Sequence, residues 1–145
     1  HAMDEKDVVR IMQHPQTMIA SDGRITPFGK GHPHPRAFGT FPRVLGKYVR
    51  EDKVLDLATA IYKMTALPAK RMGLADRGLL KTGNYADITI FDQATIIDKA
   101  DFDNPHQYPE GIHYVLVNGR IVVRDGNYFD VRAGKVLRGK AYLSK

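Results

Sequence analysis

Residues 17–46 read Thr17-Met-Ile-Ala-Ser-Asp22-Gly23, then a loop rich in Gly, Pro and His, then His34-Pro-Arg36-Ala-Phe-Gly-Thr-Phe-Pro-Arg-Val-Leu-Gly46. The short apolar run Thr17–Ser21 predicts a buried strand, which Gly23 ends just after delivering one carboxylate, Asp22. In α/β architectures the ends of strands gather catalytic groups, because the strand fixes the residue while the following loop shapes the pocket. The loop then presents His32, His34 and Arg36 among prolines and glycines, so it reads as stiffened and aimed.

Outward from this stretch the pattern is α/β first and β afterwards. Upstream, Asp4 is placed to cap a helix with an apolar face of Val8, Ile11 and Met12, and His14-Pro15 ends it. Helix, short turn and buried strand make half of a β/α repeat. Downstream, Phe41–Arg50 is apolar and aromatic in mixed spacing, which fits a short helix or an extended segment against the pocket. Asp56 predicts an N-cap for a helix from Leu57 to about Thr65, burying Leu57, Ile61 and Met64, with Ala58 and Ala60 keeping the packing close. Pro68–Met72 reads as another short helix ended by Gly73. From Leu74 the character changes. Ala86–Phe91 alternates Ile88 and Ile90 against Asp87 and Thr89, the period of a half-buried strand. His113–Val117 and Arg120–Arg124 flank Asn118-Gly119, a strong hairpin signal, and Asp125-Gly126 marks a second turn.

The 145 residues are 43% hydrophobic and 26% charged, as in an ordinary globular domain that can bury a core. The absence of cysteine excludes disulfide scaffolds, thiolate zinc sites and cysteine nucleophiles. No run approaches the ~20 apolar residues of a membrane span, and no signal peptide opens the chain, so a cytoplasmic protein with no membrane partner is expected. The opening His1-Ala-Met suits a vector remnant, but the chain then enters a helix with no strand before it, which predicts a cut through a longer protein. The net charge of +6 raises nucleic-acid binding. Its clearest excess is the tail of Arg132, Lys135, Arg138, Lys140 and Lys145, which has no aromatic platform, so a solvated surface and no nucleic-acid partner are expected.

Each candidate residue has a plain structural role beside its functional one. Asp22 is either a turn residue or a carboxylate that shuttles protons or ligates a divalent metal in hydrolysis. His32-Pro-His34 has the spacing of a metal pair but lies in a loop, where hydrogen bonding within the loop is the other role, particularly for His34. Arg36 is a surface residue or, facing the cavity of Asp22, a fork for a carboxylate. Arg43 reads as structural. Phe38, Phe41 and Tyr48 belong to the core or line a pocket.

Several blocks together resemble the N-acyl-D-amino-acid deacylases (D-aminoacylases) of the amidohydrolase superfamily. They are Ile19-Ala-Ser-Asp22-Gly23, His34-Pro-Arg36, Gly39-Thr-Phe-Pro-Arg-Val-Leu-Gly46 and Tyr48-Val-Arg-Glu51. The likeness continues in Lys63-Met-Thr-Ala-Leu-Pro-Ala69, Gly73-Leu-Ala-Asp-Arg-Gly78 and Gly83-Asn-Tyr-Ala-Asp-Ile-Thr-Ile-Phe-Asp92, then in Val117-Asn-Gly119 and Gly134-Lys-Val-Leu-Arg138. The Gly39–Gly46 block is quite specific, whereas the Ala86–Asp92 block is shared by many amidohydrolases. The loop between Asp22 and His34 departs from the family's usual one.

The resemblance implies that the chain is the C-terminal part of a (β/α)8 TIM barrel joined to a small antiparallel β-sandwich. Residues 1–73 would hold the last barrel strand (Thr17–Ser21), its helix (Leu57–Thr65) and the active-site loop 22–46, and residues 74–145 the sandwich strands. It further implies a zinc-dependent hydrolase of N-acyl-D-amino acids. In it Asp22 touches the metal and serves as general base and acid, Arg36 grips the substrate carboxylate, and the other zinc ligands lie upstream of this chain. The chain alone is then expected to be inactive, and to associate with itself or with the missing N-terminal part. Other amidohydrolases such as hydantoinases or dihydropyrimidinases, and a non-catalytic binding module, are the alternatives.

Overall fold

The structure, a computed structural model, describes residues 3–138. His1 and Ala2 of the opening, and Lys140 and Lys145 of the basic tail, lie outside them. Helix α1 (Glu5–Gln13) starts where Asp4 accepts a hydrogen bond from the Lys6 N–H at 2.8 Å, with Glu5 and Asp7 in the first turn favouring the positive helix end. Its inner face is Val8, Val9 and Met12, while Ile11, expected inside, is 49% exposed.

Helix α2 (Arg36–Arg43) replaces the second half of the expected active-site loop, so the irregular part ends at Pro35 rather than at Gly46. It runs directly into a π-helical segment, Val44–Glu51. Pro42 inside α2 has no N–H to give the preceding turn, and the helix winds wider beyond it, with the Asp52 N–H reaching back five residues to the Lys47 carbonyl at 2.8 Å. The mixed spacing of 41–50 is therefore helical throughout. Helix α3 (Leu57–Met64) is capped as expected, by Asp56 accepting from the Thr59 N–H at 2.8 Å, and buries Ala60 fully, although Ala58 faces out. Helix α4 (Ala66–Arg71) carries Pro68 in its first turn and is followed by Gly73 at φ +71°.

Thr17–Ser21 is not a strand. Its burial alternates residue by residue, Met18 is 40% exposed, and the Ile19 N–H bonds to the Lys63 carbonyl at 3.1 Å. A strand exists through a ladder with a neighbour, and none of the described residues runs alongside this one.

The four strands β1 (Ile88–Phe91), β2 (Ile112–Val117), β3 (Arg120–Arg124) and β4 (Asn127–Tyr128) form one antiparallel sheet in sequence order. Asn118 (φ +49°) and Gly119 (φ +78°) make the β2–β3 turn, the doubly left-handed geometry that matches strand twist. The expected burial of β1 holds at Ile88 but not at Ile90, which is 48% exposed, while Phe91 beyond it is half-buried; the register shift between Ile90 and Phe91 places the extra residue, His113, on β2. Among the described residues this is one sheet rather than the two of a sandwich. The core joins the parts, packing Met12, Val44, Leu45, Tyr48, Val49, Leu55 and Ala60 with Ile96 from the β1–β2 connection.

Lys63 lies inside this packing, 2% exposed, with its Nζ donating to the carbonyls of His14 (2.5 Å) and Thr17 (3.0 Å). Behind the hairpin, Arg77 binds both the Asp87 carboxylate and Asn118 Oδ1 (2.7 Å), while the Asn118 N–H is held by Asp87 at 2.8 Å. These two charged anchors hold backbone in place where apolar packing alone leaves polar groups unpaired.

Candidate functional site

The turn Ser21–Gly23 and the first turn of α2 meet closely. Asp22 adopts φ +47°, a left-handed conformation that aspartate tolerates, and the Gly23 N–H is held by Ser21 Oγ at 3.2 Å. A Cβ on Gly23 would stand 3.1 Å from both Ala37 Cα and the Arg36 carbonyl, a tight approach that a larger residue would reach only by pushing the turn and helix apart by a few tenths of an ångström. At the helix start, Pro35 presets the backbone and His34 Nδ1 accepts the Arg36 N–H at 3.1 Å. The result is an ion pair, Arg36 Nη2 to Asp22 Oδ2 at 2.8 Å, with the side chains 45% and 81% exposed. The structure thus brings together the two residues singled out in the sequence.

It does not bring His32 and His34 together as a metal pair. His32 Nε2 bonds the Phe102 carbonyl at 2.7 Å, and His34 turns its ring edge-on to Phe102 with centroids 4.9 Å apart. Both serve the loop's own contacts, the plainer of the two roles. Among the described residues no group of three or more His, Cys, Asp or Glu side chains is arranged to hold a metal ion. Asp22 is therefore without companion ligands there, and the described residues do not by themselves fit a zinc centre.

Beside the ion pair opens a cleft of about 600 Å³, walled by the apolar side chains of Val8, Met12, Ile19 and Val44 and by Arg36, Arg43 and Asp98. Asp22 is not among its lining residues. Tyr48 lines it too, but its hydroxyl donates to Glu5 Oε1 at 2.9 Å, and burial followed by the Glu5 bond pushes the phenol up from its usual range. Burial works against the Arg43 guanidinium, yet the hydrogen bond and charge of Asp98 together with those of Tyr48 outweigh it and hold it above the ordinary arginine value. Phe38 joins Phe28, His106 and Tyr108 in an aromatic cluster, with Phe28 stacked on Tyr108 at 4.8 Å. Phe41 stays 40% exposed.

Sequence reading missed the partners from the β1–β2 connection. His106 accepts the Gly29 N–H at 3.1 Å and bonds the Gly31 carbonyl at 3.0 Å, which a neutral ring with its proton on Nε2 satisfies at once. With Phe102 and Asp98, it lies more than fifty positions from the groups it touches. No local spacing signals such contacts.

Comparison with known proteins agrees with this architecture. The sequence model described as the amidohydrolase family matches residues 6–123. Three curated relatives, all from Alcaligenes xylosoxydans xylosoxydans, are similar along nearly the whole chain. N-acyl-D-glutamate deacylase is 48% identical over 99% of this chain and 28% of its own length. D-aminoacylase is 49% identical over 93% and 27%, and N-acyl-D-aspartate deacylase 50% over 93% and 26%. The chain thus spans just over a quarter of these relatives. Among solved structures, a D-aminoacylase described for its binuclear metal centre superposes with a TM-score of 0.87 at 48% identity, covering 92% of this chain and 28% of that one. N-acyl-D-glutamate deacylase from Bordetella bronchiseptica, complexed with zinc and a phosphonate mimic of the tetrahedral intermediate, gives 0.86 at 47% identity over 94% and 28%.

Proposed function

The chain belongs to the amidohydrolase family, and from that premise we propose that it is the C-terminal part of a hydrolase that removes the acyl group from N-acyl-D-amino acids. In this reading residues 1–73 contribute the last segment and helix of a barrel with the site loop, Thr17–Ser21 becoming a strand only where the parent's barrel supplies a neighbour to pair with, and residues 74–145 contribute the strands of a small β domain. The observation that carries it is the Asp22–Arg36 pair at 2.8 Å. In an N-acyl-amino acid the scissile amide nitrogen and the carboxylate sit on the same carbon. A proton-transfer group and a carboxylate clamp that serve one such molecule must therefore be immediate neighbours. Similar identity to deacylases named for glutamate, for aspartate and for D-amino acids at large supports the substrate class without choosing its side chain.

Arg36 suits the carboxylate because its planar fork makes two parallel hydrogen bonds, which orient as well as attract. Asp22 accepts a proton from the attacking water as the oxygen bonds to the acyl carbon. It then returns that proton to the amide nitrogen as the C–N bond breaks, releasing a carboxylic acid and a free D-amino acid. Zinc, present in the relative from Bordetella bronchiseptica, is proposed as the parent's cofactor, with Asp22 one ligand and the others outside this chain. The chain alone is proposed to be inactive and to partner the N-terminal part or a second copy of itself.

The test uses the longer protein that contains this chain, purified with zinc and assayed on N-acetyl-D-amino acids. Asp22→Asn is expected to lower kcat by roughly 10²- to 10⁴-fold with KM little changed, and Arg36→Ala to raise KM. Full activity in Asp22→Asn would refute the assignment, and turnover by the 145-residue chain alone would refute its proposed inactivity.

A further inference from the structure

The Gly39–Gly46 block carries the most specific resemblance, yet none of its residues enters the chemistry above. Its use lies in what packs against it. Gly39, Arg43, Gly46 and Arg50 recur at intervals of three or four along α2 and its continuation, which lines them up on one side. The segment Ile96–Asp98 lies against that side. A Cβ on Gly39 would stand 2.7 Å from the Asp98 Cβ, and one on Gly46 would stand 2.6 Å from the Ile96 carbonyl oxygen. The two arginines close on the same segment. Arg43 Nη1 donates to Asp98 Oδ2 at 3.1 Å, and Arg50 Nη1 to the carbonyls of Ile96 (2.5 Å) and Gln93 (3.3 Å).

Asp98 is the charged member of that segment. Its side chain is 9% exposed, against 47% for its partner Arg43. It shares the cleft wall with Arg36 and touches α2 at Gly39, one turn from where Arg36 begins the helix. Arg36 itself is half exposed, so beyond its weak, exposed pair with Asp22 it is the helix beneath it that decides where its fork points.

We infer that Asp98 is a positioning residue for Arg36: wedged between Gly39 and Arg43, it fixes the first two turns of α2 and so the direction from which Arg36 meets a substrate carboxylate. The inference rests on the role given to Arg36 above. It makes the β1–β2 connection, which supplies no reacting group, a determinant of how the carboxylate end of the substrate is held. A displacement of about 1 Å in a positioning group can cost up to about 10²-fold in rate.

The experiment measures carboxylate discrimination in the longer zinc-loaded protein: kcat/KM for an N-acetyl-D-amino acid divided by that for the N-acetyl amine lacking its carboxylate. Asp98→Asn keeps the shape and removes the charge, whereas Gly39→Ala keeps the charge and pushes the side chain away. Both are expected to lower the ratio by on the order of tenfold through KM, a fraction of the loss available to a misplaced clamp. Neither should lower it further in an Arg36→Ala background, as expected of residues acting through one another. A lower melting temperature with an unchanged ratio would overturn the inference, as would a fall that persists without Arg36. Variants that cannot be obtained folded would assign Asp98 to stability alone and overturn it as well. If the wild type shows no discrimination, the fault lies with the role of Arg36 itself, which separates the two failures.

Discussion

Gly46→Ala sets two opposed effects against each other, and the structure decides between them. In a helix interior alanine is favoured over glycine by roughly 0.5–1 kcal/mol, since glycine loses more backbone freedom. The added methyl would, however, lie 2.6 Å from the Ile96 carbonyl oxygen and 3.1 Å from Ile97 Cα. Both are backbone atoms that cannot rotate aside. Reaching ordinary contact distance near 3.5 Å requires moving the segment by roughly an ångström. That shift lifts Ile96, 1% exposed, from its seat and strains the 2.5 Å bond from Arg50 to its carbonyl. Overpacking costs about 1–3 kcal/mol and a weakened bond to a charged donor up to about 1.5–3. After the helix gain, a net loss of about 1.5–5.5 kcal/mol remains. Urea unfolding followed by far-ultraviolet circular dichroism measures it, with Gly134→Ala as control because nothing lies within 4 Å of that position. A Gly46→Ala chain as stable as wild type, or more so, would refute the close approach and with it the reading of the stripe.

Other perturbations test the charged anchors and the pH response. Lys63→Met keeps the aliphatic stem but leaves the Thr17 carbonyl without its donor, whereas the His14 carbonyl still receives the Thr17 N–H at 3.1 Å. One orphaned carbonyl predicts a loss of about 1–3 kcal/mol by chemical unfolding, and a loss below about 0.5 would show that the bond carries nothing. Arg77→Met strips Asp87 and Asn118 of their common partner and should cost about 2–4 kcal/mol, near the range for a broken buried pair. Hydrogen exchange should show the Asn118-Gly119 turn opening first, and unchanged protection there counts against the anchor. The hydrogen bonds from Lys47, then Tyr48, hold the Glu5 carboxyl below its ordinary 4.5. Its contribution is thus present above that pH and lost as pH falls through the lowered value. The melting temperature should drop in that acid range in wild type more steeply than in Glu5→Gln; parallel curves would sink this assignment. Conversely, bonds to Asp52 and Glu5 raise the Lys47 ammonium above 10.5, so its contribution persists to alkaline pH and fades only above that.

What the sequence made legible is what neighbouring residues decide among themselves. Asp4 and Asp56 announce their helices because a cap is a bond across two or three residues. Asn118-Gly119 announces its hairpin because both positions need left-handed backbone. Thr17–Ser21 was misread because an apolar run specifies burial, whereas a strand also needs a partner that the run does not name. Ile90 keeps the two-residue period of Ile88 yet stays 48% exposed, because alternation names a face and not what covers it. The π-helical turn blurred 44–51 because its wider winding matches neither the strand nor the α-helix period. Lys63 escaped notice because lysine is ordinarily exposed, and its partners lie 46 and 49 positions away.

The Asp22–Arg36 pair was legible as two residues but not as a bond, and its exposure tells what the bond is for. With side chains 81% and 45% exposed, such a pair contributes about 0–1 kcal/mol, since water and salt screen it and two mobile side chains must be held. An anchor of that strength does little for stability beside Lys63 or Arg77. As a placeholder it is well matched. Under the proposed role, a substrate carboxylate would offer Arg36 the same chemistry as Asp22 does, so the exchange would break one weak pair and form another in which both arms of the guanidinium fork can engage. The aspartate released by that exchange would then be free to take a proton, as the proposed mechanism requires of it. In the proposed reaction, therefore, filling the guanidinium and freeing the base are one event, and the weakness of the resting pair is what lets substrate binding drive it.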